Sequence, residues 1–407
     1  MTADRSLPLV PKLRFPEFDN LPGWEPMQLS DVLDYEQPGK YIVRDTSYQD
    51  AGTPVLTANK SFILGHTCET DGIYHNVPVI IFDDFTTDAK YVNFPFKVKS
   101  SAIKILTARG DDELRLVYEL MSRIRFDPTQ HKRYFISQYQ HLKIPLPGES
   151  EQQKIAECLG SLDDLIVAEG RKLEALRQHK QGLLQQLFPQ PSKTQPLLRF
   201  TEFRDAPNWE QAALGALLDR PPEYGANAKA VPFSENLPAY IRITDIDDDG
   251  RFVPASRVSV DIEPGDDQFL QPGDIVLART GASVGKSYRY RVKDGRLVFA
   301  GFLIRVRPNP NRLVPEFLSA YLSTWSYWDW VRLTSARSGQ PGINASEYAS
   351  LPLPMPTDAA SLSEQRKIAD CFAVLDEGIA AQRQGLWALK CHKNGLLQQL
   401  FPTPKAT

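Results

Sequence analysis

The chain has 407 residues, enough for roughly two to three domains with their own cores, and its 42% hydrophobic and 24% charged residues are those of an ordinary globular protein. A net charge of −3 speaks against a nucleic-acid binder unless the charge is unevenly distributed, and no apolar run reaches the ~18–20 residues that span a bilayer. The first residues lack the apolar stretch of a signal peptide, and the four cysteines show no C-x-x-C spacing, so a reduced, cytoplasmic protein without a zinc site or disulfide framework is expected.

In chain order, Leu13–Asp34 (LRFPEFDNLPGWEPMQLSDVLD) leads into a first mixed segment. There Val77–Phe82 and Phe96–Leu106 predict strands, and Glu113–Arg125 predicts a helix. KIPLP at Lys143–Pro147 reads as an extended exit. Glu151–Pro189 then runs from EQQKIAECLGSLDD to GLLQQLFP with a helical period. Ser150 is positioned as its cap, and the Phe-Pro pair as its stop. After a polar, proline-containing linker, Gln190–Pro196, the pattern starts again. Leu198–Asp219 (LRFTEFRDAPNWEQAALGALLD) repeats the lead-in. Strands are predicted at Ala239–Thr244, Asp274–Arg279, Tyr288–Val292 and Leu303–Val306, and an aromatic-rich helix at Pro315–Leu333. SLPLPMP at Ser350–Pro356 is the second exit. Glu364–Pro402, preceded by Ser363, runs from EQRKIADCFAVLDE to GLLQQLFP. The lead-ins are offset by 185 residues and the helices by 213, so a duplicated frame carries two inserts that differ by 28 residues.

Each long helix carries an apolar seam at alternating four and three spacing. In the first it is Ile155, Leu159, Leu162, Ile166, Glu169, Leu173, Leu176, Lys180, Leu183 and Leu187. In the second it is Ile368, Phe372, Leu375, Ile379, Gln382, Leu386, Leu389, Lys393, Leu396 and Leu400. Such a seam, sustained over about five heptads, predicts a coiled coil, with the polar breaks at Glu169/Gln382 and Lys180/Lys393 fixing register. A lone stripe of this length would be exposed, so the two helices are expected to bury each other. The duplication favours an antiparallel pair with an approximate two-fold axis.

Charge is unevenly spread. Asp245–Asp274 is acidic, whereas Arg279–Arg312 carries nine Lys/Arg against the single acid Asp294. That stretch reads either as a basic face for nucleic acid or as a solvated strand edge. Within it, GASVGKS at Gly281–Ser287 has Thr280 where a phosphate-binding NTPase loop needs glycine, and it runs into a strand-like SYRYRV. A glycine-rich loop between strands can instead bring amides and Lys286 against a phosphate backbone. FDDFTTDAK, with Asp83, Asp84, Asp88 and Lys90, has the residue types of a metal-dependent nuclease. The carboxylates crowd one turn, however, and a solvated loop is the competing reading. No methyltransferase motif of the form [DN]-P-P-[FY] occurs.

The paired LRF…W lead-ins, PGDIVLARTGASVGK at Pro272–Lys286, GQPGIN at Gly339–Asn344, the IPLP and LPLP exits, the EQxKIA helix starts and the GLLQQLF ends resemble the DNA-sequence specificity subunits of type I restriction–modification enzymes. The resemblance covers nearly the whole chain and rests on the duplicated order of these motifs. It implies an α+β fold with two mixed α/β target-recognition domains related by pseudo-two-fold symmetry and separated by a long antiparallel two-helix coiled coil. The implied division is a first domain at 1–149, a spacer helix at 150–189, a linker at 190–196, a second domain at 197–358, a second spacer helix at 359–402 and a tail at 403–407.

The resemblance also implies a non-catalytic subunit. It would read a split, asymmetric site on double-stranded DNA and dock two modification subunits and the restriction subunits. S-adenosylmethionine, ATP and Mg would be bound by those partners and no cofactor or metal by this chain, in a prokaryotic cytoplasm and away from any membrane. By the same resemblance, DNA contacts in the second domain fall on Arg279, Thr280, Gly281, Ser283, Lys286, Arg289, Gln340 and Asn344. In the first domain they fall on Thr57, Asn59, Lys60, Lys90, Arg133, Tyr134 and Ser137. The alternatives are a specificity subunit for a solitary or fused methyltransferase, a nuclease using Asp83, Asp84 and Lys90, or a coiled-coil scaffold without nucleic-acid function.

Overall fold

The computed structural model describes residues 9–57, 61–128, 132–336 and 340–402. It divides into two compact units, one of Met1–Glu169 with Gly385–Thr407 and one of Gly170–Gln384. The fold class is α+β, and each unit holds one globular insert together with part of each long helix.

The first unit opens on β1 (Glu25–Gln28), followed by the single-turn helix α1 (Leu29–Val32). Its globular segment contains β2 (Leu33–Glu36), β3 (Thr53–Leu56), β4 (Ile63–Thr67), β5 (Val79–Asp83), β6 (Ala89–Val92), β7 (Lys97–Val98), β8 (Ile103–Ala108) and α2 (Leu114–Met121). The exit strand β9 (Lys143–Leu146) leads into α3 (Glu149–Leu187), and β1 pairs antiparallel with β9, so the domain opens and closes on one ribbon. Two sheets form, in the orders β2-β8-β5-β6 and β4-β3-β7. Strand β5 is buried on both faces. Ile80 and Phe82 join the core under α2, while Val79 and Ile81 join the core of Leu56, Phe96 and Val98. This is the period-two alternation of a strand.

The second unit has the same plan. Its strands are β10 (Glu210–Ala213), β11 (Glu223–Tyr224), β12 (Ala230–Pro232), β13 (Ala239–Ile241), β14 (Val258–Val260), β15 (Ile275–Ala278), β16 (Ser287–Arg289), β17 (Leu297–Phe299) and β18 (Leu303–Val306). Helices α4 (Pro315–Tyr321), α5 (Trp325–Thr334) and α6 (Ala345–Ala349) follow, then β19 (Pro352–Met355) and α7 (Ser361–Leu400). The sheets are β11-β18-β15-β16 and β12-β14-β13-β17, and β10 pairs with β19. Strand β15 alternates as β5 does, with Ile275 and Leu277 in one core and Val276 and Ala278 in the other. Each domain includes one parallel pair, β3/β7 or β13/β17. Two inserts of different length therefore share one strand order, the second adding β12 at the edge of its smaller sheet.

Several sequence expectations need correction. Phe96–Leu106 is two strands, because Ser100 and Ser101 turn the chain between β7 and β8. Pro315–Leu333 is two helices, because Thr324 stops the first and caps the second, its hydroxyl oxygen accepting from Tyr327 N at 3.2 Å. Ser150 and Ser363 lie inside helices rather than at caps. The first turns instead hang on the carbonyls of Gly148 and Ala360, which accept from Gln152 N and Glu364 N.

The frame motifs act as fasteners, and they do so twice. Arg14 forks onto Glu151 at 2.8 and 2.6 Å while also donating to the carbonyls of Leu21 and Pro22. Arg199 forks onto Glu364 at 2.7 and 2.8 Å while donating to those of Ala206 and Pro207. Gln152 accepts from Glu113 N ahead of α2, and Gln365 from Val314 N ahead of α4. Trp24 meets Phe401 edge-on at 6.0 Å, and Trp209 meets Phe188 at 6.3 Å.

The helices pair antiparallel in each unit. In the first, Ile155 and Leu159 near the start of α3 share a core with Leu400 at the end of α7 and Phe401 just past it, and Asp163 further along α3 meets Lys393 earlier on α7 at 2.9 Å. In the second, Leu187 near the end of α3 shares a core with Ile368 and Phe372, and Lys180 meets Asp376 at 2.7 Å. None of the twenty seam positions is exposed. The two seam lysines each find an aspartate on the opposite helix.

Candidate nucleic-acid interface

The β15–β16 hairpin turns through Arg279–Lys286. Gly281 and Gly285 adopt φ of 71° and 87°, the region that favours glycine. A Cβ on Gly285 would stand 2.8 Å from Val331 and 3.1 Å from Trp328, so α5 packs directly beneath the loop. Tyr327 donates its hydroxyl to Gly285 O, and Tyr348 donates to Ala278 O, both at 2.7 Å. Burial pushes both phenols up, which keeps them protonated donors. A single 3-10 turn at Gly281–Ser283 leads into β16, not into the helix that an NTPase loop would open.

This loop is zipped to the stretch before the exit strand. Gly281 N donates to Pro341 O at 3.0 Å, Ile343 N donates to Arg279 O at 2.9 Å, and Thr280 bridges Gly342. The two motifs that the sequence singled out separately, at 279–286 and 340–344, thus form one surface. Arg279 lies 4.8 Å from the ring of Tyr224, and its backbone N–H donates to Phe302 O. Tyr224 and Phe302 are 49% and 61% exposed, so the ring against this arginine and the side chain of the residue bonded to its backbone are both accessible. Neither ring carried any motif signal in the sequence. Lys286 pairs with Asp248 at 2.6 Å and holds that carboxyl below its usual range. Arg289 pairs with Glu316 at 2.7 Å. Ser283 is half-buried in the turn, Gln340 is exposed, and the Asn344 side chain caps α6 by accepting from Glu347 N.

The basic run beyond this loop is not one face. Arg305 is buried on Glu223 and on the carbonyls of Asp267 and Phe269, and Arg307 forks onto the buried Asp274. These arginines staple the domain, and Arg296 covers the Phe269 ring at 4.0 Å.

In the first domain the corresponding hairpin, β5–β6, has different chemistry. Asp84 is the first residue past the central strand, as Arg279 is, and its carbonyl accepts from Tyr134 N as that of Arg279 accepts from Ile343 N. Its side chain, however, is buried. It accepts from Phe135 N at 2.8 Å and lies 3.4 Å from Lys104, with both partners 2% exposed or less. Asp83 accepts from Phe85 N and Thr86 N and so closes the turn. Both carboxylates are thus committed to the fold, which removes the geometric basis for a nuclease built on Asp83, Asp84 and Lys90. Lys90 itself lies half-buried on β6.

The expectation for Tyr134 is also corrected. It is 1% exposed and packs edge-on against Phe126, because its ring completes the core beside Tyr139 rather than facing solvent. Arg133 and Ser137 are exposed, with the Ser137 hydroxyl donating to Arg133 O. Thr57 follows β3 directly, and Asn59 and Lys60 lie outside the described residues.

A family model described as the type I restriction modification DNA specificity domain matches residues 22–178 and again 229–387. The chain belongs to this family. It is 48% identical over 138 residues to the type I restriction enzyme EcoR124I/EcoR124II specificity subunit of Escherichia coli, a match over 32% of this chain and 34% of that one. It is 23% identical over 412 residues to the type I restriction enzyme MjaVIII specificity subunit of Methanocaldococcus jannaschii, over 91% and 89% of the two chains. In fold it resembles the crystal structure of a type I restriction–modification S subunit from M. genitalium, with a TM-score of 0.64 at 16% identity over 97% of this chain and all of that one. A structure described as bearing on complex assembly and conformational transition of the type I system gives 0.51 at 17% identity, over 93% and 97%. Among the described residues no helix is long and apolar enough to cross a membrane.

Proposed function

We propose that this chain is the sequence-reading subunit of a type I restriction–modification complex. Each recognition domain reads one half of a split site on double-stranded DNA, and the two long helices fix the distance between the halves. Two modification subunits and the restriction subunits dock on it, and S-adenosylmethionine, ATP and Mg reside on those partners. The observation that carries this reading is the contrast at the hairpin tips. A shared strand order and one set of fasteners present Arg279 against the exposed Tyr224 ring in the second domain and hold a buried Asp84–Lys104 pair in the first. Different tips on a common frame are what an asymmetric bipartite target requires, since base edges are distinguished by the side chains that reach them.

The test is the methylated-adenine map of cells with and without the gene, followed by exchange of residues 209–354 for those of a related subunit. One half of a gapped motif should change and the other persist. Loss of no methylated motif on deletion, or a change in both halves on exchange, would overturn the reading.

A further inference from the structure

Between β13 and β14 the chain makes a tight acidic turn that the interface alone does not explain. Ile246 and Phe252 close it as a bridge, and Asp247 Oδ1 accepts from the backbone of Asp249 and Arg251 at 3.0 and 2.8 Å. Gly250 has φ +67°, and a Cβ there would stand 2.8 Å from Ser287 O, so the turn lies against β16 just after Lys286. Its three carboxylates point to three different elements. Asp248 takes Lys286 at 2.6 Å. Asp249 takes Arg177 of α3 at 3.3 Å. Asp247 takes Arg383 of α7 at 3.2 Å, with Asp249 a further 3.7 Å contact of the same guanidinium. Behind the turn, buried Arg251 reaches Asp376 O at 3.4 Å, and the Asp376 carboxylate holds Lys180.

One turn of four residues thus connects the lysine of the candidate interface to both long helices. The first unit uses other parts at the equivalent place. Its Asp163 is held by Lys393 and by Arg115 of α2, and no acidic turn takes part among the contacts of that cluster.

Resting on the reading of two half-sites, we propose that the Asp247–Asp249 turn is a positioning element of the second reader. Arg177 and Arg383 hold the reader at a set place on the helices and so contribute to the spacer length that the protein accepts. Asp248 occupies the position of a phosphate on Lys286 until DNA displaces it. Asp248 is 93% exposed, so a phosphate oxygen can replace its carboxylate without rearranging the fold. The inner pairs are about 40% exposed on the arginine side, where single ion pairs are weak and a set of them acts together.

The experiment uses the full chain, assembled with its modification subunits, and duplexes carrying the bipartite sequence that the wild-type complex selects from a random pool. The spacer is set at the selected length and at one base pair more or less. Arg177→Ala/Arg383→Ala should leave both half-site sequences unchanged and lower the preference for the selected spacer by roughly two- to tenfold. Arg177→Lys/Arg383→Lys should retain most of that preference, which a purely structural lesion would not predict. Asp248→Asn should raise affinity for every duplex by about two- to fivefold and steepen the salt dependence by about one counterion.

Should the alanine pair melt below the assay temperature, Asp247→Asn/Asp249→Asn keeps the turn's oxygens, removes only the charge, and should give the same loss of spacer preference. An unaltered spacer ratio in a folded variant of either kind overturns the positioning role, and unaltered affinity in Asp248→Asn overturns the displacement step. Selection of no bipartite sequence by the wild-type complex would instead refute the functional reading beneath the proposal.

Discussion

Glu151→Ala should be among the most damaging single changes in the first unit. The Arg14 and Glu151 side chains are 6% and 2% exposed, and Glu151 also lies 3.3 Å from Trp24 Nε1. Truncation leaves a buried guanidinium and an indole N–H without their acceptor. Removing one partner of a buried pair costs about 3–5 kcal/mol. Arg14 keeps the carbonyls of Leu21 and Pro22, which places the expectation near the lower end, about 3 kcal/mol. Glu151→Gln preserves shape and one acceptor oxygen but loses the charge assistance, for about 1–2 kcal/mol. The double change Arg14→Met/Glu151→Leu removes both charges together and should cost much less than Glu151→Ala. Urea unfolding combined with hydrogen exchange resolved to the first unit measures these values, and a double-mutant cycle isolates the coupling. A cost below about 1 kcal/mol for Glu151→Ala, or a double variant as unstable as the single, would refute the buried-fork argument. Glu364→Ala should behave alike in the second unit.

In the interface, Lys286→Ala should weaken binding to all duplexes alike and reduce the salt slope by about one counterion, whereas Arg279→Ala should cost about 1–3 kcal/mol only on the cognate second half-site if it meets a base. Binding across a salt series with cognate and scrambled half-sites decides this, and wild-type affinity and slope in both variants would mean a solvated edge. Along the helices, Leu162→Asp or Leu375→Asp should cost about 1–3 kcal/mol and weaken partner assembly together with DNA binding, because each places a carboxylate at a half-buried position of the apolar seam; assembly at wild-type strength, measured by sedimentation, would count against it. In the first domain, Glu69 is held down to about 2, chiefly by the Asp45 backbone N–H and by Lys97, from an unfolded value near 4.5. Its folded pKa is depressed, so its contribution is full above about 4.5 and disappears as pH falls towards 2; thermal melts from pH 6 to pH 2 should show a shallower acid loss in Glu69→Gln than in wild type.

The sequence made the frame legible for a physical reason. A seam obeys a fixed period, and a fastener that works is repeated with its spacing intact. Lys180 and Lys393 were visible as breaks in the seam. Their partners Asp376 and Asp163 were not, because each sits beside the seam rather than on it. The loop at 279–286 and the stretch at 340–344 were each marked by glycine and polar residues, but their zipping depends on a tertiary bridge that no local pattern encodes. Tyr224 and Phe302 were missed as single aromatics in unremarkable strand-like sequence. Tyr134 was misread because it was grouped with Arg133 and Ser137 by its place before the exit strand, whereas its ring completes a core.

The division between fasteners and tips has a consequence for how such a chain can change. Arg14–Glu151, Arg199–Glu364 and the glutamines behind them are buried, so substitution there is paid in stability. Arg279 stands on, and Gln340 and Phe302 beside, a hairpin whose shape is fixed from below by Tyr327, Tyr348 and the two positive-φ glycines. Substitution at the tip alters what is presented while the support stays in place. The first domain shows how far this can go. The equivalent hairpin, on the equivalent central strand, carries a buried aspartate paired to Lys104 of β8 where the second domain has the half-buried Arg279, and it keeps its backbone bond to the pre-exit stretch. On the proposed reading, recognition would diverge at the tips without any compensating change in the helices, provided that the contacts anchoring each domain are maintained.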